Sequence, residues 1–444
     1  MKFKPKSIPL KTTAIILALV LIFIFKHLLP SNIGKIAFII PVVLIDLYLW
    51  ASIKNEIKGI KKTIQILIFG FYWLPFSMLA GSYVLAAIVP FKDWNHVFRT
   101  YFFAVIIIAY GSKLIPALFF GVSDLVRSIH YLVSKLSPLS KSNTKTGLMP
   151  RSKFLKNLGL LGGGIVFSGL LTGMVRWVYD FRVRHQIVPL NNLPEAFKGF
   201  KIVQISDLHL GSWSSTEPLE DAVRMINDLK PNLVVFTGDL VNYATNEALP
   251  FAQTLAKIKA EFGVYTVLGN HDYGDYIKWD RPTDKARNML DLYRFYKSIG
   301  WKLLNNTGTY IERDGQRIAL LGVENWGAIM RFPKKGDIEK AKLGFMDAPI
   351  KILLSHDPTH WDHIISKSHP DISLTLAGHT HGAQFGFERG SFKWSPAQYI
   401  YRQWAGLYQS ADKTQYLYVN RGIGHIGYPG RIGILPEITL LELV

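Results

Sequence analysis

The chain has 444 residues, no cysteine, and 51 Lys and Arg against 32 Asp and Glu, a formal net charge of +19. The absence of thiols excludes a cysteine nucleophile, Cys-bound zinc and disulfides. The charge is unevenly divided: residues 1–200 hold 24 basic against 6 acidic residues, and residues 201–444 hold 27 against 26. A nucleic-acid-binding face in the second half would need its own basic stripe, so nucleic acid is disfavoured as a partner.

Apolar runs come first along the chain. Thr12–Phe25, Ile33–Ile53, Thr63–Phe91 and Thr100–Val122 are nearly free of charge, and a bilayer core needs about 20 such residues per helix. Residues 1–122 are therefore predicted to form a four-helix transmembrane region. Residues 123–157 follow as a basic cytoplasmic linker, and 158–178 as a fifth transmembrane helix. A second domain takes residues 179–444, with its core at 200–444. Asp46 and Lys113 fall inside apparent spans; a polar pair or a pathway residue is one reading, and the expectation preferred is that Asp46 sits near the cytoplasmic interface and that Lys113 snorkels. Pro150–Lys156 resembles a twin-arginine export signal in which Ser152 stands where the second arginine would be.

Basic residues set the expected orientation. Lys2, Lys4, Lys6 and Lys11 precede the first run, and Lys54, Lys58, Lys61 and Lys62 lie between the second and third. The Ser123–Asn157 stretch has seven basic residues against Asp124. Positive-inside bias puts these segments in the cytoplasm. If Leu158–Val175 only packs on the surface, the second domain is cytoplasmic too. The expectation is that it spans, which makes the protein integral to the inner membrane with its second domain on the periplasmic or extracellular side.

From Lys201 onward, apolar strands alternate with stretches of helical period at Glu217–Leu229, Leu249–Phe262 and Asp284–Ile299, with later strands at Arg317–Val323 and Tyr416–Val419. The predicted class is α/β, a two-sheet β-sandwich flanked by helices. Five strands run into polar blocks: Asp207-Leu-His209, Gly238-Asp239, Gly269-Asn270-His271-Asp272, His356, and Gly378-His379-Thr380-His381. An α/β sheet carries its site at the carboxyl ends of its strands. Carboxylate, imidazole and amide donors gathered there suit manganese, iron, zinc or cobalt. Asp207 and His209 alternate on an extended segment and so are expected to face one side. Asp239 has two oxygens with which to bridge two ions, and Asn270 adds a neutral one.

These blocks, in this order, resemble the calcineurin-like metallophosphoesterase family, over Phe200–Val444, in its membrane-associated and exported bacterial branch. The resemblance implies an α/β/β/α sandwich and two divalent ions. One would take Asp207, His209, Asp239 and His381; the other Asp239, Asn270, His356 and His379. It further implies that His271 acts on the phosphoryl group or the leaving oxygen, with Asp272 fixing its orientation. The expected activity is that of a membrane-anchored phosphoesterase, foremost a phosphodiesterase, whose partner is a phosphate-ester substrate such as a lipid or nucleotide-linked lipid. The alternatives are a membrane receptor or transport component that senses a ligand with this domain, and a nuclease of the same fold. Protein partners are not indicated.

Other residues draw plainer expectations. His360 and His363 are placed on a solvated helical face. Arg421 and His425 lie in a glycine-bearing loop that, with Arg431 and Pro436-Glu437, resembles the branch's C-terminal signature, and they are expected outside the cleft. Trp213 and Tyr273 either wall the site or simply pack.

Overall fold

The computed structural model describes residues 33–136, 151–329, 332–390 and 392–444, so the run Thr12–Phe25 lies outside the described residues. The chain forms two compact units, Met1–Leu171 and Thr172–Val444.

The first unit contains α1 (Ile33–Ile53), α2 (Lys62–Ile88) and α3 (His96–Leu136), and α4 (Arg151–Val175) belongs to it through Leu171. Residues 62–88, 96–129 and 153–175 are each long and apolar enough to cross a membrane, and Ile39–Ile53 is a shorter apolar helix. Their outward faces are apolar, with Leu67, Phe71, Leu118 and Ile165 exposed, as lipid requires and water does not. The helix α3 runs past the expected boundary at Ser123. No proline or glycine interrupts it between Val122 and Leu136, and Asp124 pairs with Arg127 one turn on.

The glycine run of α4 is a packing face. A Cβ at Gly159 would come within 2.8 Å of Phe119 Cβ, one at Gly162 within 2.8 Å of Ile115 Cγ2, and one at Gly163 within 2.9 Å of the Ser112 carbonyl. Small residues let helix backbones close in where lipid supplies no hydrophobic drive.

Lys113 does not snorkel: it turns inward to Asp46. Asp46 is fully buried, and Lys113 Nζ lies 2.6 Å from its Oδ1 while also donating to the Tyr72 carbonyl at 3.0 Å. The Tyr110 hydroxyl donates to Asp46 Oδ2 at 2.6 Å, and the Tyr72 hydroxyl donates to the Asp46 carbonyl at 2.6 Å. The ammonium also sits over the Tyr72 ring at 4.1 Å. Packing of α1, α2 and α3 brings opposite charges together among the helices, where each satisfies the other.

Among the described residues, the second unit has fourteen named strands. The first five are β1 (Arg182–Val188), β2 (Lys201–Ile205), β3 (Leu233–Phe236), β4 (Val264–Thr266) and β5 (Lys302–Leu303). Next come β6 (Thr307–Arg313), β7 (Gln316–Gly322), β8 (Lys351–Leu354), β9 (Leu374–Ala377), β10 (Phe387–Arg389) and β11 (Phe392–Trp394). The last are β12 (Gly406–Gln409), β13 (Tyr416–Val419) and β14 (Glu437–Leu443). One six-stranded sheet runs β1-β14-β2-β3-β4-β5 and the other β12-β13-β9-β8-β7-β6, while β10 and β11 form a separate hairpin.

The motif-bearing strands β2, β3 and β4 are mutually parallel, as are β8 and β9, so each sheet delivers its loops to one edge. Ile202, Val235, Val267, Ile352, Leu376 and Leu441 fill the space between the sheets. Outside the first sheet pack α5 (Glu217–Asp228), the short α6 (Ala252–Leu255) and α7 (Pro282–Ser298), through Leu219, Val223, Leu255 and Phe295. Outside the second pack α8 (Ile338–Lys342) and the turn Trp361–Ile365. Both faces of the motif strands are covered, which is why they read as unbroken apolar runs.

The helix expected over Leu249–Phe262 shrinks to one 3₁₀ turn and α6. Asn227 accounts for this: its side chain donates to the Lys257 carbonyl and accepts from Lys259 N, both at 2.9 Å, and so holds that stretch off the helix. Buried Gln204 ties the sheets at the working edge, donating to the Ala377 carbonyl at 2.8 Å and to Thr237 Oγ1 at 3.2 Å.

Candidate metal centre

The five blocks meet where the two sheets' strand ends converge. Glycines make the approach possible. A Cβ at Gly269 would overlap Asp239 Oδ1, and one at Gly378 would overlap Ser206 Oγ and Asp207 Oδ2. Two donor groups result: Asp207, His209 and His381, and Asp239, His356 and His379, the ligand atoms within each lying within 4.8 Å of one another. Asp239 also reaches the first group, its Oδ2 standing 3.5 Å from His209 Nε2 and 3.2 Å from His356 Nε2. His379 Nδ1 is 3.2 Å from His356 Nε2, and His381 Nε2 is 3.4 Å from Asp207 Oδ1.

The expectation that Asp207 and His209 share a face by strand alternation is corrected. β2 ends at Ile205, and both residues are left-handed, with φ of 54° and 47°. Asp239, His379 and His381 are left-handed too, at 61°, 74° and 49°. Each such non-glycine residue costs about 1–3 kcal/mol and persists only where its surroundings hold it. Here the strained backbone turns consecutive side chains into one small volume.

Asp272 also departs from its expected role. Its carboxylate accepts from the backbone of Asp239, Leu240 and Gly269 at 3.0, 2.8 and 2.9 Å, so it braces two motif loops instead of orienting an imidazole. The His271 ring is set by the Asn242 carbonyl, 2.8 Å from Nδ1. A carbonyl only accepts, so Nδ1 carries a proton and Nε2 is left for the cleft. Asn242 additionally places its side-chain Oδ1 3.0 Å from His209 Nδ1, and the Thr237 carbonyl does the same for His356 Nδ1 at 2.7 Å. Such partners fix which nitrogen faces a metal.

The electrostatics call for cations. Burial pushes the Asp207 carboxyl up to about 6. Burial opposes charge on His356 as well, yet the Asp239 and Asp207 carboxylates outweigh it and raise the imidazole to about 10. Burial would raise Asp239 in the same way, but His356 and His271 hold it well below the usual carboxylate range. His209, which burial dominates, falls to about 3 and is a neutral ligand at ordinary pH.

Divalent ions fit these residues. Asn270 Oδ1 and His381 Nε2 are buried with no hydrogen-bond partner among the described residues. An unsatisfied buried polar atom costs about 1–3 kcal/mol. Nitrogen and oxygen lone pairs beside buried carboxylates are what a borderline divalent cation coordinates.

Several neighbours escaped the sequence reading. Tyr276 stacks on His271 with ring centroids 4.2 Å apart, and its hydroxyl accepts from Asn270 Nδ2 at 2.7 Å. The Tyr401 hydroxyl is 2.9 Å from His379 Nε2, and Phe332 meets the same ring edge-on at 4.8 Å. Asp357 Oδ2, buried and without a hydrogen-bond partner among the described residues, stands 3.5 Å from His379 Nε2; its position next to His356 was the one available signal. The aromatic wall is thus Tyr276, Tyr401 and Phe332. Trp213 packs in the core and donates to the Leu208 carbonyl, and Tyr273 is equally buried.

His360 is corrected from a solvated position to a buried one. Its Nδ1 lies 2.9 Å from Ser355 Oγ and its ring stacks on Trp326, whereas His363 is exposed. Arg421 is buried in ion pairs with Glu388 and Glu437, each at 2.6 Å. His425 packs against Tyr179 and Trp213.

A two-sheet sandwich whose converging strand ends hold two nitrogen- and oxygen-donor groups defines a protein of the metallophosphoesterase class. Comparison with known proteins agrees. A family profile described as "Calcineurin-like phosphoesterase" matches residues 200–383, and one described as "Probable Calcineurin-like phosphoesterase, transmembrane domain" matches residues 31–176. YkuE of Bacillus subtilis (strain 168), called an uncharacterized metallophosphoesterase, is 30% identical over 303 residues, covering 66% of this chain and 98% of that protein. A Danio rerio "Transmembrane protein with metallophosphoesterase domain" is 33% identical over 279 residues, covering 61% of this chain and 59% of the relative's own length. A Chlamydia trachomatis protein named "UDP-2,3-diacylglucosamine pyrophosphatase LpxG" is 28% identical over 324 residues, covering 62% of this chain and 94% of that one. The chain belongs to the calcineurin-like metallophosphoesterase family and joins that domain to a transmembrane region.

Proposed function

We propose that this protein is a membrane-held phosphodiesterase that hydrolyses a lipid-linked phosphate or diphosphate ester. The observation that carries the chemistry is the pair of donor groups meeting at Asp239, with the lone pairs of Asn270 and His381 left unsatisfied by protein. Asp207, His209, Asp239 and His381 would hold one divalent ion, and Asp239, Asn270, His356 and His379 the other. Two ions bound there would lower the pKa of a water molecule and clamp phosphoryl oxygens.

The chain's own residues supply the rest. His271 presents Nε2 to the phosphoryl group while the Asn242 carbonyl holds Nδ1–H, an arrangement suited to stabilising charge or protonating the leaving oxygen. Asn242 and Thr237 hold the ligand imidazoles in register, and Tyr276 stacks on the His271 ring. A lipid-linked substrate is supported by the helices able to cross a membrane and by the name of the Chlamydia trachomatis relative.

For topology, basic residues cluster at alternate helix connections: Lys54, Lys58 and Lys61 between α1 and α2, then Lys153 and Lys156 at the start of α4. Positive-inside bias then places the start of α4 in the cytoplasm and the Thr172–Val444 unit outside. Reporter fusions after Lys145 and after Val444 should report opposite sides.

The activity test uses the full chain in lipid nanodiscs, stripped by chelation and resupplied with manganese, iron, zinc or cobalt. Metal-dependent turnover of bis-p-nitrophenyl phosphate in excess over p-nitrophenyl phosphate is expected. Failure of all four metals to bind or to restore turnover would overturn the proposal.

A further inference from the structure

Exposed aromatic and large aliphatic side chains gather on one part of the second unit. The β10–β11 hairpin and the turn after it present Phe385, Phe387, Phe392, Tyr399 and Ile400, the last four between 51% and 76% exposed. The rings lean on each other, Phe387 on Phe392 and Phe385 on Trp394, both with centroids 6.2 Å apart. A two-stranded hairpin this short is marginal in water. Clustered apolar exposure of this kind marks a surface that meets a membrane or another apolar partner.

Its charge is one-sided. The only acid in residues 385–402, Glu388, is held by Arg184 and Arg421, whereas Arg389 and Arg402 are exposed. The free charge on this surface is therefore positive.

The hairpin base is tied to the end of a helix long and apolar enough to cross a membrane. Gly386 N donates to the Ile432 carbonyl and Ile432 N to the Gln384 carbonyl, both at 2.9 Å, which joins the hairpin to the 428–432 loop. Gly173, in the last turn of α4, accepts from Arg431 N at 3.3 Å. A Cβ there would stand 3.0 Å from Ile432 Cγ1 and 3.1 Å from the Tyr428 hydroxyl. The candidate span ends at Val175. Aromatic rings and arginines beside the end of a span are the composition of a bilayer interface.

We infer that the β10–β11 hairpin and the 396–402 turn lie in the headgroup layer of the bilayer. Phe387, Phe392, Tyr399 and Ile400 reach the acyl boundary there, and Arg389 and Arg402 meet anionic headgroups. This deepens the proposed function and rests on its membrane-held reading. The hairpin follows the Gly378–His381 block directly, and at the far end of the segment the Tyr401 hydroxyl touches His379. One stretch of chain therefore links the lipid surface to the metal ligands, which suits a substrate taken from the plane of the membrane.

The chain has no native cysteine, so single labels are clean. Phe392→Cys, Tyr399→Cys and, as control, Leu343→Cys would each carry an environment-sensitive dye in the full chain, reconstituted into vesicles of phosphatidylethanolamine and phosphatidylglycerol. Leu343 is exposed and adjoins Lys342, which pairs with Asp371 before β9, at the opposite end of that strand from His379. Dyes at 392 and 399 should show blue-shifted emission, quenching by brominated lipid several-fold above the control, and shielding from iodide. Iodide quenching equal to that at 343 would overturn the inference. So would shielding from iodide without quenching by brominated lipid, the signature of cover by protein such as a second copy. The double variant Phe387→Ser/Phe392→Ser should keep its bound metal and its turnover of bis-p-nitrophenyl phosphate, yet lose most of the bromolipid quenching at 399; retained quenching would count against insertion. The dye readouts need no enzymatic activity, so they stand or fall separately from the phosphodiesterase reading.

Discussion

The two units bury charge in opposite ways. In the membrane unit, Asp46 and Lys113 satisfy each other, and Tyr110 and Tyr72 take up the oxygens that remain. In the catalytic unit, carboxylates and imidazoles crowd together on left-handed backbone, and Asn270 Oδ1 and His381 Nε2 find no hydrogen-bond partner among the described residues. Saturated buried polarity fixes how helices pack. Spare lone pairs gathered with carboxylates and imidazoles on strained backbone are what a divalent ion can coordinate. The glycines divide in the same way: those of α4 let helices touch, and those of the motif loops let donor groups converge.

The contrast can be broken at four points, taken from the largest expected effect. Asp239→Ala should bring turnover to background and lower the metal content of both proposed sites, because its carboxylate reaches both donor groups. Elemental analysis that finds full metal content in this variant would remove the bridging role. Asp46→Ala should leave the chemistry alone but destabilise the membrane unit by about 3–5 kcal/mol, since Lys113 is left buried without its counter-ion. The paired change Asp46→Leu/Lys113→Met should recover most of that loss, read as a thermal midpoint in detergent; no recovery would mean the pair does more than lock helices.

His271→Gln is expected to keep bound metal and slow turnover by about 10²-fold, the scale of a positioned proton donor. Unchanged turnover would take His271 out of the mechanism. Asn242→Ala should weaken metal binding by about 10–100-fold, with the metal titration shifted more than the maximal rate, because it unseats His209 without removing a ligand. A titration superimposable on the wild type would show that the Asn242 side chain orients nothing.

Much of this was legible in the sequence, for a local reason. Ile-Val-Gln-Ile, Leu-Val-Val-Phe and Leu-Thr-Leu-Ala are short apolar runs that end at Asp207, Asp239 and His379, and a strand end is a property of consecutive residues. The donor types, their order and the sandwich built to present them follow from that pattern. The apolar stretches Thr63–Phe91, Thr100–Val122 and Leu158–Val175 likewise announce helices able to cross a membrane.

What only the tertiary structure decided depends on residues distant in the chain. Asp272 turned out to brace backbone because the Asp239 loop folds onto it; His360 became buried because Trp326 covers it. Lys113 found Asp46 because α1 and α3 pack with those faces together, not because of anything near either residue. Helix Leu249–Phe262 failed because Asn227, on another element, competes for its backbone. Periodicity records which face of an element is apolar. It does not record which element arrives at that face, and hydrogen bonds, ion pairs and left-handed turns are settled by that arrival.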